Sequence, residues 1–250
     1  MTKKEESKDL EVKQEGAIVP RISGEQNLPA GFDEIEDGDI KIPRLSVLQG
    51  LSEVVIDGKA KMGQIGNSLT KEVYGDEVDF IPLFMFKTRA QFDIERGLVM
   101  LSRDNETVTM AIDEFAEYLD KPVEEVPGSA WEKDTPPTFG VVYNFPVMLI
   151  GKLNQFPISL SLMRTAIKTA KELLSMARFS GEDMFARVYT LKSEIVKGDK
   201  GTYAVPVIDF SRRCEDNEYA ISKKFFDMLY RRKKDIAVEL EDEPTVDKNE

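Results

Sequence analysis

Strand-like runs separated by turn signals, one clear amphipathic helix set among them, and acidic, core-poor ends predict a mainly β fold with helices. The order of elements fits an OB-like antiparallel five-stranded barrel with a helix between strands 3 and 4, a C-terminal helix and disordered termini. A mixed α+β sandwich accommodates the same order, because strand order is not readable from one sequence. The domain plan is an acidic N-terminal arm over residues 1–40, an OB-like nucleic-acid-binding domain over 41–234, and an acidic tail over 235–250.

Residues 1–40 hold few large apolar side chains and no period, so they are expected to be disordered. The core begins near Ile42, where Pro43 to Gln49 looks extended, and Lys61 to Gly75 is turn-rich. Glu77 to Arg89 is the first strong strand, rich in aromatic and branched residues, and Leu98 to Arg103 is its expected partner. Residues 111–120 resemble a short acidic helix stopped by Pro122, and the loop that follows carries the single tryptophan, Trp131. Thr138 to Ile150 is a long strand with Phe139, Val141, Tyr143 and Phe145 on one face. Phe156 to Leu160 continues it or pairs with it.

Residues 161–178 form the clearest helix, its apolar stripe running through Met163, Ala166, Ile167, Ala170, Leu173, Leu174 and Ala177. Gly181 ends it. Met184 to Val196 and Thr202 to Phe210 read as two strands joined by a Gly-Asp-Lys-Gly turn, and Asp216 to Lys234 reads as a helix with acids first and bases last.

The formal charge of −12 is unevenly spread. Residues 1–40 carry 11 acids and 5 bases, and residues 235–250 carry 7 acids and 1 base, so each end is net −6. Between them 28 acids meet 28 bases, yet 139–234 alone has 10 acids and 17 bases, net +7. A basic half is thus hidden in an acidic chain. No apolar run approaches the roughly 20 residues of a membrane span, and the opening residues lack a signal-peptide core, so the expected location is the cytoplasm.

Several chemistries are disfavoured by composition. The chain has no histidine and one cysteine, Cys214, which removes the commonest general base, any intrachain disulfide and multi-cysteine zinc sites. Neither a GxxxxGK[ST] phosphate loop nor a GxSxG elbow is present. The expectation is a protein that is no enzyme and needs no cofactor or metal.

Binding is better supported. Gripping single strands needs cations along a groove and aromatic faces on which bases stack. Aromatic and basic residues interleave here: Phe84, Phe86, Lys87, Arg89 and Phe92 end one strand, and Tyr143 precedes Lys152 on another. Arg187, Tyr189 and Lys192 share a third strand and Tyr203 lies in the next, while Arg164, Lys168, Lys171 and Arg178 form a stripe beside the helix's apolar face. The expected DNA-binding set is Lys87, Arg89, Tyr143, Lys152, Arg164, Lys168, Lys171, Arg187, Tyr189, Lys192 and Tyr203. Phe80 and Phe210 are assigned to the core.

Four stretches, IPRLSVLQGLSEVVIDG, NSLTKEVYGDEVDFIPL, FPISLSLMRTAIKTAKELLS and the acidic ELEDEPTVDKNE, resemble the single-stranded DNA-binding proteins of tailed bacteriophages. That resemblance spans residues 42–210 and the tail. It implies an OB-type core, sequence-independent single-strand binding in replication or recombination, and a tail that contacts replication or recombination proteins. The rival expectation is a phage structural or adaptor protein that docks partners through its acidic arms.

Overall fold

The computed structural model describes residues 42–93, 96–133, 135–198 and 201–231. The acidic arm expected over 1–40 and the tail over 235–250 lie outside them. The fold is mainly β with a few helices, as the sequence predicts, but the five-stranded barrel is not what forms. Eleven strands among the described residues make one open sheet. They are β1 (Arg44–Val47), β2 (Ile65–Asn67), β3 (Val73–Gly75), β4 (Val78–Pro82), β5 (Phe86–Asp93), β6 (Gly97–Ser102), β7 (Met110–Ala111), β8 (Gly140–Leu149), β9 (Ile158–Met163), β10 (Arg187–Gly198) and β11 (Gly201–Arg213). The main path runs β11-β10-β4-β8-β9-β1-β2-β3, and β5, β6 and β7 branch from β8.

The branch explains why strand counting from sequence falls short. The run Glu77 to Arg89 is two strands, both antiparallel to β8: β4 lies against Val147 to Leu149 and β5 against Gly140 to Asn144. Between them stands Pro146 of β8, whose carbonyl accepts the Leu83 N–H at 2.8 Å but which has no N–H to return. The ladder loses a donor there, and the facing strand breaks. On its other edge β8 pairs with β9 in an unbroken hairpin from Val142–Met163 to Val147–Ile158. β9 in turn pairs in parallel with β1.

A one-turn helix, α1 (Glu53–Ile56), follows β1, and two longer helices cover opposite faces of the sheet. Along β4, Phe80 enters one core and Ile81 another; along β8, Phe145, Val147 and Leu149 alternate with Met148 in the same way. The first core is closed by α2 (Ile167–Phe179), which buries Ala170, Leu173 and Ala177 as the stripe predicts. Residues 161–163 belong to β9 instead of the helix, because Leu162 pairs with Tyr143 and the chain turns only at Arg164. The second core is closed by α3 (Asp216–Tyr230) through Phe225 and Leu229. α3 begins with a reciprocal capping box between Glu215 and Glu218. A third, smaller core of Met100, Val108, Val123, Val126 and Phe139 sits on the β5–β6–β7 branch. The acidic helix expected over 111–120 is a 3-10 helix, Asp113–Tyr118.

β10 and β11 form a long hairpin of which only Tyr189 to Leu191 pairs with β4. Beyond that stretch, side-chain hydrogen bonds tie the hairpin down, among them Thr169 of α2 to the Pro206 carbonyl at 2.8 Å. Gln49, just past β1, donates its amide N–H to the Ala204 carbonyl and accepts the Ala204 N–H, both at 3.0 Å. The loop after β1 also meets the hairpin where Ser193 donates to the Gly63 carbonyl at 2.6 Å.

Candidate nucleic-acid interface

The expected binding residues fall into three groups. The first is buried or structural. Tyr189 is 0 % exposed, with Phe80 and Phe210 as its partners on the neighbouring strands, so it has no free face for a base. The expectation that it stacks on DNA is corrected here: β10 is flanked on both edges and covered on both faces, so the ordinary alternation of a strand sends Val188 into one core and Tyr189 into the other. Phe210, assigned to the core from sequence, is 46 % exposed and lies under the Arg187 guanidinium at 4.9 Å. Arg89 is a tie between segments, donating to Asn105 Oδ1 and to the carbonyls of Ser129 and Phe139. Burial lowers its pKa from the ordinary guanidinium value.

The second group is already paired with carboxylates. Lys152 meets Glu72 and rests over the Tyr74 ring at 4.7 Å. Arg187 donates to Glu182 at 2.8 Å, and Lys192 stands 3.7 Å from Glu77 and 3.8 Å from Asp209. Tyr203 lies apart from these on the far half of the hairpin, its ring across Gly198, where a Cβ would come within 2.9 Å of it.

The third group lies along β5 and β8 and on the turn from β9 into α2. Lys87 and Tyr143 are directly paired across β5 and β8, and the Lys87 ammonium lies 5.2 Å from the centre of the Tyr143 ring. Leu162 is the next residue in that row. Two positions later Arg164 places its guanidinium 5.8 Å from the ring centre of Phe92, at the end of β5. Lys87 and Arg164 are exposed, Tyr143 and Phe92 half-buried. Lys168 and Lys171 follow on the exposed side of α2, with Glu172 at 3.8 Å from Lys168. Neither Lys87, Arg164 nor Lys171 has a carboxylate within 4 Å among the described residues. Phe92 joins this group although the sequence places it only among the interleaved aromatics.

Arg164 also has a backbone φ of 51°, the left-handed region that non-glycine residues enter at a cost of order 1 kcal/mol. The chain carries an arginine there, at a position where glycine would be easier. The Cys214 thiol is pushed up to about 12 by burial and the nearby Glu218, so it stays protonated at neutral pH. No group of three or more Asp, Glu, Cys or His side chains placed to hold a metal occurs among the described residues. No helix there is long and apolar enough to cross a membrane.

The fold and this surface define a helix-covered, open-sheet protein whose exposed cations sit on aromatic rings. Residues 13–234 match the profile of the Pam3 phage gp34-like protein family, and the chain belongs to that bacteriophage family. No curated protein and no solved structure matches it.

Proposed function

We propose that the protein binds single-stranded DNA without catalysis, in phage replication or recombination, through the surface formed by Lys87, Tyr143, Phe92, Arg164, Lys168 and Lys171. One observation carries the reading: two cation–aromatic couples, Lys87 with Tyr143 and Arg164 with Phe92, are carried by the adjacent strands β5 and β8 and by the turn that follows β9. A half-buried ring can give a face to a base while the cation above it swings to a phosphate, and each such stack is worth ~1–3 kcal/mol. The strained backbone at Arg164 fits a side chain held in place for a ligand.

The test is fluorescence anisotropy of labelled oligo-dT with the full chain at two salt concentrations, beside a duplex control. Binding should prefer the single strand and weaken steeply with salt. Tyr143→Ala should cost one stack, ~1–3 kcal/mol. Arg164→Gly should weaken binding while changing stability by no more than about 1 kcal/mol, because glycine relieves the strained φ. Absence of binding at low salt, or unchanged affinity in both variants, overturns the reading.

A further inference from the structure

The third core borders a hollow that opens to the surface. This cavity, of about 370 Å³, has a wall that includes Met100, Phe115, Tyr118, Val126, Gly128 and Glu132. Gly128 has a φ of +75°, and a Cβ on it would stand 2.2 Å from the Thr138 hydroxyl, so glycine lets this wall close. The rings of Phe115 and Tyr118 are only partly buried by the core.

The charge around the cavity decides what it can hold. Residues 103–133 contain nine carboxylates and three cations, Arg103, Lys121 and Lys133, net −6; all nine carboxylate residues are exposed, and Glu114 is paired with Arg96. A phosphate-bearing ligand would enter against that field, so DNA is not the occupant. A cation would be drawn in, and Tyr118 already carries one: the Lys121 ammonium lies 5.4 Å from its ring centre. Aromatic faces, apolar depth and the Glu132 carboxylate in the wall together suit a long side chain with an apolar stem and a charged head.

We propose that this cavity is a docking site for a basic peptide segment of a partner protein. One arginine or lysine of the segment inserts against Phe115 and Tyr118, with its charge toward Glu132. The site shares no residue with the DNA-binding surface proposed above, and the proposal does not depend on that reading.

Trp131, the single tryptophan, is 67 % exposed and sits between the cavity-lining Ala130 and Glu132, so its emission reports occupancy. The probe is a capped heptapeptide of alternating glycine and arginine, titrated into the full chain, with the glutamate version as control. The arginine peptide should give a saturable change in emission and the glutamate peptide none. Tyr118→Ala should weaken binding about tenfold or more, as loss of a desolvated cation–π contact implies, and Glu132→Gln by about threefold. Glu124→Gln, an exposed carboxylate that does not line the cavity, should change it by less than about twofold. Because Glu132 is exposed, its variant still reads the site if Tyr118→Ala fails to fold. Equal binding by the two peptides, no saturable change, or a Glu132→Gln variant indistinguishable from Glu124→Gln overturns the proposal.

Discussion

Tyr189 takes a hydroxyl into the first core, where it finds no hydrogen-bond partner among the described residues. Burial also raises its pKa, so the neutral phenol is the form that folds. An unpaired buried hydroxyl costs roughly 1–3 kcal/mol. Tyr189→Phe should therefore leave stability unchanged or raise it, as read from the urea midpoint, and a loss above about 1 kcal/mol would mean the hydroxyl has a partner. Lys87 and Arg89 show why such residues are hard to sort from sequence. They stand two apart on one strand and carry the same charge. One is exposed over Tyr143; the other is claimed by carbonyls 40 and 50 residues away. Nothing local to β5 announces that difference, because the deciding groups arrive from distant loops.

Among the elements, those set by local chemistry were the readable ones. The α2 stripe, the β10–β11 hairpin and the helix after Cys214 all follow from period and turn residues within a few positions. The fork at β8 is not legible locally, although Pro146 is plain in the sequence, because its effect falls on whichever strand faces it. The start of α3 carries a measurable pH dependence. Arg212 grips both oxygens of Glu218 at 2.7 Å, the Glu215 N–H adds a third bond, and these hold the Glu218 carboxyl below its ordinary value. A carboxyl depressed in the folded state stabilises fully above its unfolded value of about 4.3 and loses that contribution as pH falls through the folded value. Stability should thus decline on acidification below about pH 5 more steeply in the wild type than in Glu218→Gln, measured by urea melts across pH. Parallel curves would remove this contact from the acid response.

At the level of the molecule, the neutral average of residues 41–234 conceals a separation of charge. Carboxylates gather on the β5–β6–β7 branch, and cations at the β9–α2 junction. The open sheet is held across its gap by Gln49, which stands in for a backbone rung. Gln49→Ala strands the buried Ala204 N–H and carbonyl and should lower stability by about 1–3 kcal/mol in urea melts; an unchanged midpoint would show that water replaces the clamp without cost. That clamp joins residues 155 positions apart, and β1 finds its parallel partner β9 only after more than a hundred residues. Such distant pairings pay their loop-closure entropy before any contact rewards them, and they form slowly. On the ribosome β1 is made early and seated late: β9 must emerge before it can pair, and β11 before Gln49 can latch. Until β9 has emerged, β2 is the partner within reach of β1.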